Sequence, residues 1–266
     1  MSNYKTIGII SLSRSGSTFL NNHFVNKNNY SIEEFFNHCD LGDGRIADPA
    51  MIKLFSRIEK QVKGFDGSNV DFNNRIDQFF FIKKTIKKNI VLKIIPSHAS
   101  WLDENKIIPI IDNLDFLIFN YRKNLLDSFI SLEKAKITGR WSSINHEYID
   151  LKIKWDEKRW GEYLSASIDS LNFILNIYNK FERKKHMVCY EDFCKNKSRF
   201  DYLSDIFEDQ IVLRENSICL KKQRKENILE DNFINPLEFL DYSMHNESLT
   251  TFAKDISIYI KSKLKS

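Results

Sequence analysis

Residues 6–12 read Thr-Ile-Gly-Ile-Ile-Ser-Leu, a mostly apolar run without alternation. A strand with one face in water alternates apolar and polar residues, so this run predicts a strand buried on both faces of a parallel sheet. The signature returns in Asn89-Ile90-Val91-Leu92-Lys93-Ile94-Ile95-Pro96, ended by its proline, and in Asp115-Phe116-Leu117-Ile118-Phe119-Asn120. A fourth run, His186-Met187-Val188-Cys189-Tyr190, leads into Glu191-Asp192-Phe193. Between the runs the spacing changes to threes and fours. Helices are expected over 17–26, 50–64, 74–88, 124–136 and 155–183, and a helix broken near Pro109 over 101–113. Residues 40–50, with Gly42, Gly44 and Pro49, read as a loop, and Ile32-Glu33-Glu34-Phe35-Phe36 follows an asparagine-rich connection. Strands that alternate with helices predict a parallel sheet covered on both faces. The chain of 266 residues has no internal repeat and no low-complexity linker. One domain over residues 1–266 is therefore expected, largely helical at its C-terminal end.

The first strand stops at Ser13-Arg14-Ser15-Gly16-Ser17-Thr18, and a helix begins there with Phe19 and Leu20 on one side. Backbone N–H groups at a helix start converge on one spot, and the helix dipole favours negative charge there. Arg14 adds a full positive charge, while Ser15, Ser17 and Thr18 add hydroxyl donors. The reading is an anion cradle for a phosphate or sulfate ester; the competing one is a hydroxyl-rich helix cap. A Walker A loop needs G-x-x-x-x-G-K-[ST], but here no lysine follows Gly16 and Ser11 stands at the first glycine's place. That counts against a kinase or ATPase. A second cation, Arg122, stands just past the carboxyl end of the third apolar run, where ligands bind in open α/β sheets. Ser131 follows nine residues later, about two and a half helical turns along. A surface pairing of Arg122 with Asp127 is the alternative.

Together these segments resemble the sulfotransferase superfamily, over about half the chain in scattered blocks. Residues 13–19 match its loop P-[KR]-S-G-[ST]-T-[WFL], with Ser13 replacing the proline. Arg122 and Ser131 match its strand–Arg–helix–Ser segment, and Val188 to Phe193 is similar to its Y-E-D-L strand end. Val91 to Pro96 loosely resembles its K-[IST]-H-x-P region, with the proline one residue early. Arg122 to Leu126 and Thr138-Gly139-Arg140-Trp141 look closest to the bacterial branch that includes trehalose sulfotransferase.

The resemblance implies a P-loop-type three-layer α/β/α domain with a central parallel sheet flanked by helices. It implies transfer of a sulfuryl group from 3′-phosphoadenosine-5′-phosphosulfate (PAPS), without a metal, to a hydroxyl of a carbohydrate or glycolipid. In that reading Arg14, Ser15, Gly16, Ser17 and Thr18 hold the 5′ end of PAPS, Phe19 packs on the adenine, and Arg122 and Ser131 fix the 3′-phosphate. Glu34 takes the place of the branch's proposed general base, and Lys93 reaches the sulfuryl group or serves a carboxylate. The cytosolic branch uses a histidine two residues after the strand lysine. Ile95 stands there, so His98 is the second candidate base although it is out of register. The alternatives are a protein that binds 3′-phosphoadenosine-5′-phosphate (PAP) without transfer, and a divergent P-loop kinase.

A net charge of +4, spread along the chain, fits a small anionic ligand and does not call for nucleic acid. Partners are then PAPS or PAP and a small-molecule or sugar acceptor, with a homodimer as the possible assembly. The opening residues contain no signal peptide, and no apolar run is long enough to span a bilayer. Cys39, Cys189, Cys194 and Cys219 lack CxxC spacing and read as reduced thiols, so a cytoplasmic protein is expected. Trp155 and Trp160 read as core or interface, Trp141 as either core or acceptor pocket, and the run Lys221 to Lys225 as a solvated face.

Overall fold

A computed structural model describes residues 4–25, 28–36, 49–66, 72–96, 104–139, 151–195, 203 and 232–264. Among them, the apolar runs form β1 (Thr6–Ser11), β3 (Asn89–Ile94), β4 (Phe116–Tyr121) and β5 (Lys184–Cys189), joined by β2 (Asn29–Glu33). All pair in parallel in the order β2-β3-β1-β4-β5. β1 is central, and every one of its residues is buried. The helices are α1 (Ser17–Phe24), α2 (Pro49–Gln61), α3 (Phe72–Thr85), α4 (Glu104–Ile111), α5 (Leu125–Thr138), α6 (Glu157–Lys180), α7 (Tyr190–Lys195), α8 (Pro236–His245), α9 (Glu247–Lys254) and α10 (Ser257–Lys263).

The alternation along each strand divides the core in two. Ile7, Ile9, Val91, Phe116, Ile118 and Val188 pack on one face with Phe19, Leu20 and Phe24 of α1 and Phe193 of α7. Ile10, Leu92, Leu117 and Phe119 face the other side, against the apolar faces of α2 to α6 and the C-terminal helices. The result is the expected parallel sheet flanked by helices. Gly8 gives the close approach that its place in a strand suggests, since a Cβ there would lie 2.3 Å from Leu114 Cδ1. Caps fix the helices beside the site. Asn124 Oδ1 accepts from Asp127 N at the start of α5, and Asp156 Oδ1 accepts from Arg159 N at the start of α6. Trp155 and Trp160 lie in the core, as their spacing suggests.

Four features depart from the sequence pattern. The asparagine-rich connection contains a strand, β2: Asn29 Oδ1 accepts from Asn89 Nδ2, and Ser31 Oγ donates to Asn21 Oδ1. Partners distant in sequence satisfy these polar groups, so a polar stretch is buried as strand. β5 starts at Lys184, before the apolar run, because Lys184 and Lys185 lie over the rings of Phe116 and Tyr178. Tyr190 opens α7 instead of closing the strand. Helix α4 continues through Pro109, anchored by buried Ile107, Ile110 and Ile111.

Candidate functional site

All five strands point the same way, so their carboxyl ends share one edge of the sheet. From β1 the chain winds toward β2, and from β4 it winds toward β5. The connections part between β1 and β4, the place where open α/β sheets form a ligand crevice. Arg14 follows one of these strands and Arg122 the other.

The loop after β1 is held in an unfavourable shape. Arg14 has φ 60° and Gly16 φ 79°. A non-glycine residue in the left-handed region costs about 1–2 kcal/mol and persists only where its surroundings fix it. Ser15 Oγ donates to Leu12 O at 2.7 Å, and Asn120 Nδ2 donates to Ser15 O at 2.9 Å and to Ser15 Oγ at 3.1 Å. Asn120 can do this because it pairs in register with Ser11 at the ends of β4 and β1. Gly16 is the N-cap of α1 and makes no side-chain cap hydrogen bond. The N-cap position thus falls to a residue without a side chain, and the positive end of the α1 dipole lies at this loop.

Polar side chains converge on this loop. Lys93 Nζ, near the end of β3, donates to Thr18 Oγ1 at 3.0 Å and lies 2.7 Å from Glu34 Oε1. Arg14 donates through Nε and Nη2 to Ser131 Oγ, at 3.2 and 2.9 Å. Arg122 Nη2 meets Asp127 Oδ2 at 2.8 Å, its Nε is 3.5 Å from Glu191 Oε1, and its guanidinium carbon lies 5.5 Å from the centre of the Tyr190 ring. Burial, and next the charge of Arg122, lower the pKa of Arg14; Tyr163 and Glu34 oppose that shift. The charge of Arg122 acts on Arg14, and an anion beside the two would offset that repulsion. Tyr163 stands beside both arginines. Burial raises its pKa, against hydrogen bonds with Ser167 and Ser128 and the charges of Arg122 and Arg14.

The structure therefore gathers Arg14, Gly16, Thr18, Glu34, Lys93, Arg122 and Ser131 at one edge, from segments distant in sequence. Other candidates are engaged differently. Ser15 directs its hydroxyl into the loop itself, and Ser17 is buried. Phe19 is only 4% exposed, and its ring meets His23, Tyr190 and Phe193 edge-on within the core. Arg122 makes the Asp127 pair that the sequence offered as the alternative, but as a buried cation and not a surface one. His98, Trp141, Cys39, Cys219 and the run Lys221 to Lys225 lie outside the described residues.

Asn120 and Tyr163 were not singled out from the sequence, and Tyr190, quoted there in the Y-E-D-L likeness, was given no task at the site. Asn120 left a signal, a polar residue closing an apolar run opposite the hydroxyl-rich loop. Tyr163 left none, since on α6 it reads as another aromatic one turn from Trp160. Tyr190 gains its place from Gly16, where a Cβ would lie 2.2 Å from its Cδ2. Among the described residues no cluster of His, Cys, Asp and Glu is arranged to hold a metal, and no helix is long and apolar enough to cross a membrane.

No family profile matches the chain. No curated protein matches it in sequence. Among solved structures, a sulfotransferase from Alicyclobacillus acidocaldarius aligns with a TM-score of 0.43 at 11% identity, covering 92% of this chain and 95% of that one. The chemistry of the site rests on its own residues.

Proposed function

We propose that the protein is a sulfotransferase that moves a sulfuryl group from PAPS to a hydroxyl of a carbohydrate or glycolipid. The observation that carries the reading is the position of Lys93, one ammonium bonded both to Thr18 of the cradle and to Glu34, the candidate base. A donor group in the cradle and an acceptor hydroxyl at Glu34 would meet at that lysine. Such a layout suits in-line transfer, in which positioning and charge neutralisation do most of the work.

Each residue then has a defined task. Arg14, Thr18 and the α1 amides neutralise the 5′-phosphate as it leaves. Arg122 and Ser131 belong to the 3′-phosphate; their present partners, Asp127, Glu191 and Arg14, hold them until it arrives. Lys93 faces the sulfuryl oxygens. Glu34 takes the acceptor's proton while the acceptor oxygen bonds to sulfur and the sulfur–oxygen bond to the 5′-phosphate breaks, releasing PAP. The ion pair with Lys93 aims the carboxylate. The acceptor class rests on the likeness of Arg122 to Leu126 and Thr138 to Trp141 to the trehalose branch.

Thermal denaturation with PAP, ATP and ADP tests the nucleotide. PAP at about a hundred times its dissociation constant adds roughly 2.7 kcal/mol of stability, and ATP much less. Stabilisation by ATP and not by PAP refutes the reading. Radiolabelled transfer to a panel of sugars then separates an enzyme from a protein that only binds PAP. Glu34→Gln is expected to abolish transfer and leave PAP binding intact; full activity in that variant would move the base to His98.

A further inference from the structure

Glu34 sits on a turn whose geometry is specified more heavily than a connection requires. In the pairing of β2 with β3, Ser31 lies opposite Val91 and Glu33 opposite the next residue, Leu92. Ile32 is thus an extra residue, a β-bulge at the end of an edge strand. Glu33 then takes φ 46°, and with Arg14 it is one of two described non-glycine residues at positive φ. Bulges next to functional sites re-aim a side chain, and strained backbone persists only where other contacts fix it.

Those contacts come from three sides. Ser31 Oγ accepts from Glu33 N at 3.2 Å across the bulge. Arg57, on α2, donates through Nη2 to Ser31 O at 2.8 Å and through Nη1 to Glu33 Oε1 at 3.0 Å. Its fork thus joins a residue before the bulge to one after it. Arg75, on α3 and 2% exposed, donates to Phe35 O, and its guanidinium lies 5.7 Å from the centre of the Phe55 ring. The rings of Phe35 and Phe36 anchor the far side, at 5.5 Å from Phe55 and 5.9 Å from Phe79. Glu34 is flanked by this scaffold, and its carboxylate points to Lys93.

We infer that Arg57 is a positioning residue for Glu34: its fork holds the Ile32 bulge and the strained Glu33, and so aims the carboxylate at Lys93. This rests on the proposed role of Glu34. The contacts of Arg57 run to Glu33, Ser31 and the Tyr30 ring, none of them a candidate ligand contact. Side-chain exposure of 41% also makes it replaceable without opening the core.

The test is a double-mutant cycle in the transfer assay. Arg57→Ala lowers kcat about ten- to a hundredfold, the scale of a misplaced reacting group, while the KM for PAPS stays within about twofold. In the Glu34→Asp background, which keeps a carboxylate with measurable residual transfer but has already displaced it, the same substitution has a much smaller effect. An equal loss in both backgrounds, or no loss in either, overturns the inference. Glu33→Gly, which accepts positive φ freely, loses less activity than Glu33→Val, which resists it; the reverse order also overturns it. A crystal structure of Arg57→Ala gives an independent answer should the wild-type protein transfer no sulfuryl group. A broken Glu34–Lys93 pair supports the clamp, and an intact pair overturns it.

Discussion

Gly16→Ala perturbs the loop after β1 at one atom. The new Cβ would sit 2.2 Å from Tyr190 Cδ2 and 2.4 Å from Cε2, at a backbone φ of 79°. The left-handed conformation costs alanine about 1–2 kcal/mol, and forcing a methyl against a packed ring adds about 1–3 kcal/mol. Tyr190 cannot swing away freely, because its ring is edge-on to Phe19 at 6.2 Å and lies beneath the Arg122 guanidinium. A loss of about 3 kcal/mol follows, a large share of the 5–15 kcal/mol typical of a domain, and lowers the melting temperature by roughly 6–12 °C. Urea denaturation of Gly16→Ala, Tyr190→Ala and the double variant separates the two terms. In the Tyr190→Ala background the glycine substitution should cost only its backbone term, about 1–2 kcal/mol. Equal cost in both backgrounds, or a single variant that melts within about 2 °C of wild type, refutes the argument. Gly8→Ala is the control: the obstacle is the flexible tip of Leu114 with no positive φ, and about 1–2 kcal/mol is expected.

Glu133 is a carboxylate only 4% exposed, between Lys136 Nζ at 2.9 Å and Arg159 Nη2 at 2.7 Å. Both cations are about half exposed and can regain water, so Glu133→Gln is expected to cost about 1–2 kcal/mol in urea denaturation, not the larger loss of a fully buried pair. The hydrogen bond between Lys123 and Asp192 raises the lysine's pKa and lowers the aspartate's. The aspartate's contribution is present above its ordinary 3.8 and lost as pH falls through the depressed value; the lysine's is present below 10.5 and lost as pH rises through the raised value. Lys123→Met should flatten stability against pH at both ends, and unchanged slopes would rule the pair out. Burial pushes the Cys189 thiol up to about 12, so its alkylation at neutral pH should occur only after unfolding; rapid labelling of Cys189 in the native protein, read by peptide mapping, would contradict the buried placement.

The sequence by itself determined the layers and marked the loop after β1 as a candidate site. Runs such as Ile7 to Ile10 and Phe116 to Phe119 carry too little polarity for a solvated sheet, so a parallel sheet with helices on both faces follows from local pattern. The loop at Arg14 and Gly16 was legible for the same reason, since its signal lies within one short stretch. Tertiary structure decided what that signal could not contain. β2 became a strand only because Asn89 and Asn21 satisfy the polar groups of Asn29 and Ser31. Lys93 became a link between Thr18 and Glu34 through the order of the strands, which places β3 between β1 and β2. Arg57 gained its hold on the Glu33 turn from the docking of α2. Local periodicity reports which faces are buried. Which distant groups meet depends on strand order and helix docking, and these emerge only when the whole core is assembled.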